Sequence, residues 1–325
     1  MILAGDIGGT KTHLALYEPG SPPRRPLRET TAASRDSASL EAILRGFLAG
    51  GDVAIARTVL GIAGPVVRNR VEATNLPWIM DGAAIGAAIG CPAVSLINDL
   101  EATAWGLGLL GAGDLEVLQA GDAVAGNRAL IAAGTGLGEA IVVRDGERWL
   151  PSASEGGHAD FGARDALEDE LSRWLRAKHG RVSYERVLSG PGLAELYRFM
   201  SESGRGTEAP EMALRFAASD DPAALVTETA LDGTCERARL TLEKWIEIYG
   251  AEAGNLALKA LALGGVFVGG GIAPRLLPVL RAGHFMRGFT AKGRLSPVLE
   301  RIPVAIILDP QTALWGAAAR ALHSD

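Results

Sequence analysis

The stretch Gly5-Asp6-Ile7-Gly8-Gly9-Thr10-Lys11-Thr12 decides the fold, because it joins two apolar runs through a glycine turn. Residues 2–5 are apolar, and Leu14 and Leu16 alternate with other residues after the turn, so the pattern predicts a strand, a tight turn and a second strand. The spacing approaches the phosphate-binding loop G-x-x-x-x-G-K-[ST]. However, Thr10 replaces the second glycine, and a strand follows where that loop requires a helix. The stretch is therefore predicted to be a glycine turn within a sheet.

The groups in this turn suit a phosphate and a divalent cation. Backbone N–H groups at Gly8 and Gly9 can form a concave nest of donors, and Thr10 adds a hydroxyl group. Asp6, beside the turn, is placed to hold Mg²⁺ through a water molecule. An ordinary hairpin with a glycine turn explains the local sequence equally well.

A second strand–turn–strand unit occurs in the other half of the chain. Residues 129–133 are apolar, Gly134-Thr135-Gly136-Leu137-Gly138 forms a turn, and residues 140–143 are apolar again. This weak internal repeat predicts two similar domains that face each other. Two such turns, one in each half, indicate that the chain holds one polyphosphate from two sides.

Composition is that of an ordinary folded protein and argues against several classes of function. The 325 residues predict about two domains, and 48% hydrophobic with 22% charged residues is typical of a globular chain. The net charge is −6 and no basic run occurs, which argues against a nucleic-acid partner. Cys91 and Cys235 are too few for a disulfide framework or a zinc cluster, and they fit a reducing compartment.

Neither a targeting segment nor a membrane span is predicted. The N-terminus carries a charge at Asp6 and no basic region, which argues against a signal peptide. The most apolar stretch, residues 256–272, contains Lys259 and many glycines, so we interpret it as a helix followed by a buried strand. A cytoplasmic location with no membrane partner is expected.

Strands and helices alternate along the chain, which predicts an α/β fold. A helix is expected over residues 37–48, with Ser37 or Ser39 as its cap, and helices predominate over residues 163–263. Further strands are predicted at residues 59–62, 93–97, 265–268 and 304–308, and a last helix at 312–322.

Asn98 and Asp99 follow a buried strand and precede a helix. Open α/β sheets bind ligands at this edge, where a carboxylate can accept the proton of a sugar hydroxyl as it attacks a γ-phosphate. The competing interpretation is that Asp99 only caps the helix, a role that aspartate often fills and that the local sequence favours.

The segment Glu155-Gly156-Gly157-His158 places two polar side chains around two glycines. Such a turn lets Glu155 and His158 converge on one small polar ligand, and Glu185 is a second carboxylate near a turn. Buried sugar hydroxyls need acceptors of this kind, because leaving one unpaired costs about 1–3 kcal/mol. Taken singly, each of these residues is more often a solvated turn residue.

The segment Gly269-Gly270-Gly271 follows a predicted strand and precedes Pro274. The dinucleotide-binding string G-x-G-x-x-G fails here because Pro274 occupies its third glycine position, and it fails at Gly134 because Glu139 does. The turn suits packing against an adenine or a ribose, and a plain strand-to-helix turn explains it almost as well.

Other catalytic motifs are absent from the sequence. It contains no G-x-S-x-G string and no H-E-x-x-H string, and four of its five histidines are scattered. Hydrolase chemistry and metal binding by histidine are therefore disfavoured.

Taken in order, these strings resemble the bacterial glucokinase family of the actin-like ATPase and hexokinase superfamily. They span nearly the whole chain, and their order and spacing make the resemblance specific. The matching strings are GDIGGT (5–10), LGIAGP (60–65), TN (74–75), IND (97–99), GTGLG (134–138), EGGHADF (155–161), ERVLSG (185–190), GGGIAP (269–274), KGR (292–294) and IPV (302–304).

The resemblance implies roles for individual residues. Asp99 would be the general base, and the sugar would be bound by Asn75, Asn98, Asp99, Glu155, His158 and Glu185. The ATP phosphates would lie on two glycine turns, which comprise Gly8, Gly9, Thr10 and Lys11 in one case and Gly134, Thr135 and Gly136 in the other. Adenosine would lie toward Gly269, Gly270 and Gly271, and Mg²⁺ would lie near Asp6.

The resemblance also implies a two-domain actin-like (ribonuclease H-like) α/β fold with a cleft between the domains. The smaller domain would comprise residues 1–108 and be completed by 304–325, and the larger domain would comprise 109–303. A homodimer is expected, since homodimers are common in this family. Glucose or a related hexose is the expected substrate, and ATP the expected donor.

The sequence departs from the family pattern in two places. Lys11 stands where the family often has asparagine, and it resembles instead a related group of repressors and kinases. That group carries a cysteine-rich zinc motif after its Glu-x-Gly-His string, and residues 161–165 here contain no cysteine. Glu139 is charged where a small or apolar residue is expected, and it would repel phosphates if it faced them.

Two other functions stay open at this point. A sugar sensor or transcriptional repressor can use the same fold, but a repressor would need DNA-binding helices before the strand that starts at Ile2, and a sensor would be expected to lack Asp99. A kinase for mannose, fructose or an N-acetylated amino sugar would need the same carboxylates. The sequence also does not distinguish ATP from ADP or polyphosphate as the donor.

Overall fold

The computed structural model describes residues 1–49, 51, 53–73, 76–122 and 124–323. The strands are β1 (Ile2–Ile7), β2 (Lys11–Tyr17), β3 (Arg28–Ala33), β4 (Arg57–Ile62), β5 (Arg70–Glu72), β6 (Ile79–Asp81), β7 (Val94–Asn98), β8 (Leu115–Gln119), β9 (Arg128–Ala133), β10 (Leu137–Asp145), β11 (Arg148–Ser154), β12 (Val266–Gly269) and β13 (Val304–Ile307). The helices are α1 (Leu40–Leu48), α2 (Gly82–Ile89), α3 (Asp99–Gly106), α4 (Ala166–His179), α5 (Tyr184–Val187), α6 (Gly190–Glu202), α7 (Pro210–Ala218), α8 (Pro222–Leu231), α9 (Glu236–Ala260), α10 (Leu277–Arg281), α11 (His284–Thr290), α12 (Ser296–Leu299) and α13 (Thr312–Leu322).

The first sheet has the strand order β3-β2-β1-β4-β7. Strands β1 and β2 are antiparallel and are joined by the first glycine turn, as the sequence predicts. Strands β1, β4 and β7 run parallel, and the pairings Ile7↔Ile62 and Ile62↔Asn98 bring their carboxyl ends to one edge. Asn98, the last residue of β7, therefore lies at the edge where parallel sheets bind their ligands.

The second sheet has the strand order β11-β10-β9-β12-β13-β8. Its first five strands repeat the order of the first sheet. Strands β9 and β10 are antiparallel around the second glycine turn, and β9, β12 and β13 run parallel. The internal repeat that the sequence predicts is thus confirmed by the topology of the two sheets.

The chain divides into two compact units. The first comprises Met1–Leu115, Leu150–Ala153 and Asp309–Asp325, and the second comprises Glu116–Trp149 and Ser154–Leu308. The sequence predicts that the strand at residues 304–308 belongs to the smaller domain. In the structure Val304 pairs with Val266, so this strand lies in the second unit, because the parallel ladder with β12 fixes it there. The predicted boundary at 108/109 stays a prediction.

Most elements with a clear apolar pattern occur where the sequence predicts them. Strands β4, β7, β12 and β13 coincide with the predicted runs, and α13 has the predicted bounds. Helix α1 begins at Leu40, and the Oγ of Ser39 accepts a hydrogen bond from the N–H of Ala42 at 3.3 Å, so Ser39 is the cap. The sequence missed β3 and β11, because these strands expose most of their residues and lack an apolar alternation.

Close contact between two helix backbones holds α3, the helix that begins at Asp99. A Cβ at Gly316 of α13 would overlap the carbonyl oxygen of Ala102, and a Cβ at Gly106 of α3 would overlap the carbonyl oxygen of Thr312. Glycine at these two positions lets the helices approach without a side chain between them. The position of Asp99 thus depends on the packing of α13.

No helix among the described residues is long and apolar enough to cross a membrane. The apolar run at 256–272 comprises the end of α9 at Ala260 and the strand β12, which confirms the predicted helix followed by a strand. Cys91 and Cys235 are both buried free thiols.

Gly316→Ala is expected to destabilise the protein by about 1–3 kcal/mol, because the added methyl group would push α13 away from α3. Urea denaturation measures the change in the free energy of unfolding. Gly108→Ala is the matched control, since a Cβ added there meets no atom within 4 Å. Equal stability of the two variants would contradict the backbone contact between α3 and α13.

Candidate active site

Three polar residues lie at the edge of the first sheet where its parallel strands have their carboxyl ends: Asp6, Asn98 and Asp99. Asp6 lies one residue before the end of β1 and is level with Gly61 of β4. A Cβ at Gly61 would lie 2.8 Å from the Cβ of Ala102 and 3.8 Å from the Cα of Asp99. The missing side chain at Gly61 therefore lets the first turn of α3 pack on the sheet and places Asp99 beside β4.

Asn98, not Asp99, is the cap of α3. Its Oδ1 accepts hydrogen bonds from the N–H groups of Leu100 at 2.8 Å and Glu101 at 3.3 Å, and its Nδ2 donates to the carbonyl oxygen of Gly64 at 3.2 Å. The capping role that the local sequence favoured for Asp99 is wrong, because Asp99 is already the first helical residue. Asp99 is half-buried, and its Oδ1 accepts from the N–H of Leu100 at 2.9 Å.

Asp6 is a half-buried carboxyl group that interacts electrostatically with Asp99. Burial raises the pKa of Asp6 to about 7, and the negative charge of Asp99 adds to the increase. Two carboxyl groups that oppose each other's ionisation are stabilised by a divalent cation, and Mg²⁺ prefers carboxylate oxygens. The chemistry of these two groups therefore fits the Mg²⁺ ion predicted near Asp6.

Ser34 anchors the first glycine turn. Its Oγ donates to the carbonyl oxygen of Gly8 at 2.8 Å, and its N–H donates to the carbonyl oxygen of Thr10 at 2.9 Å. The N–H of Gly8 donates to the carbonyl oxygen of Lys11 at 2.9 Å, so this donor closes the turn. Thr10 and Lys11 are exposed. The turn is a hairpin, and an anion would meet Gly9, Thr10 and Lys11 rather than the N–H of Gly8.

Three predicted sugar-binding side chains converge in the second unit. The Nε2 of His158 lies 3.9 Å from the Oε2 of Glu155 and 3.9 Å from the Oε1 of Glu185. The side chains of His158 and Glu155 are each 55% exposed and that of Glu185 is 32% exposed, so a ligand can reach all three. Asn75, the remaining predicted sugar ligand, lies outside the described residues.

The second glycine turn holds Glu185 in this cluster. The N–H of Leu137 donates to the Oε2 of Glu185 at 2.9 Å, and a Cβ at Gly136 would lie 2.5 Å from the same oxygen. The N–H of Gly190 donates to the carbonyl oxygen of Gly134 at 2.9 Å. A side chain at position 136 would therefore displace the carboxylate of Glu185.

The third glycine turn lies beside the second. Gly269 pairs with Ala132 in the parallel ladder between β12 and β9. Gly270 has a φ of +85°, and a Cβ there would lie 2.9 Å from the carbonyl oxygen of Ala133. Because Ala133 directly precedes Gly134, the turns predicted to bind phosphate and adenosine meet at one edge of the second sheet.

Glu139, which follows the second glycine turn, is buried in the protein interior. Its side chain is 1% exposed, and burial, followed by the negative charge of Glu252, raises its pKa to about 8. Glu139 is therefore mostly uncharged at pH 7. Because Glu139 is buried and does not face solvent, it does not repel phosphates as the sequence alone suggests.

Asp165, Glu168 and Glu247 form a group of carboxylates whose oxygens lie within 4.8 Å of one another. The Nζ of Lys244 lies 2.6 Å from the carboxylate of Asp165 and 2.9 Å from that of Glu168, and Arg164 also pairs with Glu168. These cations neutralise the group, so it is an ion network within the second unit rather than a metal site.

Sequence reasoning missed Ser34, Leu137 and Glu252. The side chain of Ser34 donates a hydrogen bond to the backbone of the first glycine turn, and the backbone N–H of Leu137 donates one to Glu185. Contacts that involve the backbone leave no pattern in the sequence. Glu252 interrupts a run of small residues, 250–254, on α9. A charged residue in such a run is a signal of a buried ionisable group, and it was available in the sequence.

The chain is similar to known glucokinases both in sequence and in structure. A family model described as Glucokinase matches residues 3–324. A glucokinase of Trichormus variabilis is 40% identical over 334 residues, which cover 98% of each chain. The crystal structure of a glucokinase from an Antarctic psychrotroph is 32% identical, with a TM-score of 0.84 and coverage of 99% of each chain.

A more distant structure supports the fold alone. A ROK family glucokinase from Streptomyces griseus, solved in complex with glucose and AMPPNP, is 24% identical with a TM-score of 0.65 and covers 98% of each chain. These likenesses, with the repeated strand order of the two sheets, confirm the actin-like α/β fold.

Stability measured without Mg²⁺ should fall as the pH rises, in part because of Asp6. The folded-state pKa of about 7 lies above the ordinary value of 3.8, so between pH 4 and pH 7 the folded protein keeps a proton that the unfolded chain has lost. Asp6→Asn should reduce the decline between pH 4 and pH 8 by roughly 2–4 kcal/mol, at about 1.36 kcal/mol per pKa unit. Urea denaturation across this range provides the measurement, with the exposed Asp36→Asn as control. An unchanged slope in Asp6→Asn would contradict the raised pKa.

Gly136→Ala should weaken sugar binding by about tenfold, because its methyl group would displace the carboxylate of Glu185. Titration calorimetry with glucose measures the dissociation constant. Gly134→Ala is the comparison for sugar affinity, since its methyl group would meet no atom within 4 Å. If both variants bound glucose equally well, Glu185 would not be a sugar ligand held by this turn.

Proposed function

The chain belongs to the glucokinase family, and on that premise we propose which of its residues carry out the reaction. It is an ATP-dependent hexose kinase, which transfers the γ-phosphoryl group of ATP to the 6-hydroxyl of glucose and releases glucose 6-phosphate and ADP. The observation that best supports the site is the convergence of Glu155, His158 and Glu185, because these accessible polar side chains come from two separate segments.

Asp99 is the proposed general base. As the 6-hydroxyl oxygen bonds to the γ-phosphorus, the hydroxyl proton passes to the carboxylate of Asp99, and the bond from the γ-phosphorus to the bridging oxygen of ADP breaks. Asp99 is the first residue of α3, where the helix dipole favours the charged form of a carboxylate. The hydrogen bond from the N–H of Leu100 fixes its Oδ1. The support for this role is therefore an oriented carboxylate at the edge where ligands bind.

The sugar hydroxyls are proposed to bind Glu155, His158 and Glu185 together with Asn98, Asp99 and Asn75. Carboxylates accept hydrogen bonds from hydroxyl groups, and an imidazole can donate or accept one. Asn98 already uses its side-chain amide to cap α3 and to bond Gly64, so its role is to orient Asp99 as much as to contact the sugar. Glu185 is oriented in the same way by the N–H of Leu137.

The phosphates of ATP are proposed to bind the two glycine turns, and adenosine the turn at Gly269, Gly270 and Gly271. In the first turn the hydroxyl of Thr10 and the ammonium group of Lys11 are exposed and suited to a phosphate. In the second turn Gly134, Thr135 and Gly136 supply the backbone and one hydroxyl. Mg²⁺, held near Asp6, supplies positive charge that offsets the charge of the phosphates.

The proposal also includes a homodimer and a cytoplasmic location, both of which rest on the family resemblance. Light scattering on the purified protein, across a range of concentrations, tests the dimer. A mass that stays at 33.8 kDa would contradict it.

A coupled assay for glucose 6-phosphate, with purified protein, Mg²⁺, ATP and glucose, tests the activity and the base together. Asp99→Asn should lose turnover by about 100-fold or more, because the amide cannot accept the proton, while calorimetry should still detect glucose binding. The exposed Asp145→Asn is the matched control. Retained turnover in Asp99→Asn would remove Asp99 from the role of base, and a faster reaction with another hexose would reassign the substrate.

A further inference from the structure

A pair of buried carboxyl groups lies beneath the loop that carries Glu155 and His158. Glu139 of β10 is 1% exposed, and Glu252 of α9 is 0% exposed. The Oε2 of Glu139 occupies the space in which a side chain at Gly156 would begin. Glu139 is therefore in contact with the backbone of the loop, directly beside Glu155.

Glu252 has hydrogen-bond donors and cations around it, whereas one oxygen of Glu139 has none among the described residues. The Oε1 of Glu252 accepts a hydrogen bond from the Nζ of Lys259 at 3.3 Å, and its Oε2 accepts one from the Nδ2 of Asn255 at 2.8 Å. The Oε1 of Glu139 has no hydrogen-bond partner among the described residues, and a buried carboxylate would need one. The ammonium groups of Lys259 and Lys292 thus offset the carboxylate of Glu252. Glu139 has no ion pair among the described residues, so its neutral form is the stable one.

The same network reaches the second sugar-binding segment. The Nδ2 of Asn255 lies 3.0 Å from the hydroxyl oxygen of Tyr184, which directly precedes Glu185. The N–H of Tyr184 donates to the carbonyl oxygen of Ala159 at 3.0 Å, one residue beyond His158. A change of charge at the carboxyl pair would therefore act on the segments that carry all three residues of the sugar-binding cluster.

We propose that Glu139 keeps its proton at neutral pH and that in this neutral form it holds the Glu155–His158 loop in its sugar-binding position. Glu139 is a positioning residue, since it acts through Gly156 and does not touch the sugar. The inference rests on the sugar-binding roles proposed above for Glu155 and His158. Loss of this proton leaves a buried carboxylate without a full set of hydrogen-bond partners, near the negative charge of Glu252, and the loop moves to admit water.

The titratable groups around this buried pair come from three segments. On α9 they are Glu252, Lys259 and Tyr249, on α5 the group is Tyr184, and after α11 it is Lys292. Burial and the charge of Glu252 raise the pKa of Glu139 to about 8, and Lys259 opposes the increase. Glu139 therefore loses its proton between about pH 7 and pH 9.

Titration calorimetry of glucose at pH 7 and pH 9 tests the inference. If the loop binds sugar only with Glu139 protonated, the competent fraction falls about tenfold across this range, and the dissociation constant rises by the same factor. Glu139→Gln cannot ionise, so the ratio of its two dissociation constants should lie near one. Glu147→Gln makes the same substitution at a side chain that is 94% exposed on the β10–β11 hairpin, and it should keep the wild-type ratio.

A ratio in Glu139→Gln equal to that of the wild type would overturn the inference, as would a wild-type affinity that does not change with pH. In steady-state assays the KM for glucose should follow the calorimetric ratio, whereas the KM for ATP and kcat should change equally in the wild type and Glu139→Gln. A purely structural role for Glu139 would change the melting temperature without this split.

Glu252→Gln provides a second variant in case Glu139→Gln does not fold. It removes the neighbouring negative charge, so Glu139 should ionise at a lower pH, and the rise in the dissociation constant should move to lower pH with it. An unchanged midpoint would overturn the inference. A wild type that binds no glucose at pH 7 would contradict the proposed function as well, which distinguishes that failure from failure of the positioning role alone.

Discussion

Carboxyl oxygens fill the space in which two glycines of the second unit would otherwise carry side chains, and the proposed sugar-binding cluster of Glu155, His158 and Glu185 lies beside these two contacts. Glu185 lies against Gly136, and Glu139 lies against Gly156. An added methyl group at either glycine would displace a carboxyl group that orients or supports this cluster. The glycines are therefore required by close approach of neighbouring side chains and not only by the conformation of a turn.

In the first unit the corresponding constraint is the register of the parallel strands. The pairings of β1 with β4 and of β4 with β7 bring Asp6 and Asn98 to one edge, and Gly61 lets α3 pack close enough to place Asp99 there as well. The capping hydrogen bonds of Asn98 then fix the first turn of α3. Packing against α13 holds the rest of that helix, so the orientation of the proposed base depends on residues far along the chain.

Environment gives the carboxyl groups of this protein different charges. Asp99 lies at the start of a helix, where the dipole favours the charged form. Burial raises the pKa of Asp6 to about 7 and that of Glu139 to about 8, and in each case a nearby carboxylate adds to the increase. Carboxyl groups in one protein can thus differ in their stable form, because desolvation and neighbouring charge decide whether the acid or the carboxylate is favoured.

The sequence by itself determined the α/β class, the two strand–turn–strand units and the capped helix before β4, because these leave local signals of periodicity and glycine. The roles of the candidate site residues came from the family resemblance and stay predictions. Polar edge strands such as β3 leave no such signal. The strand at Val304 was predicted in the wrong unit, because local sequence does not show which distant strand it pairs with. Only the tertiary structure decided that Asn98 caps α3, that Glu185 meets His158, and that Glu139 is buried against Glu252. Each of these depends on which groups the fold brings within a few ångströms of one another and removes from water, and that is a property of packing across the whole chain.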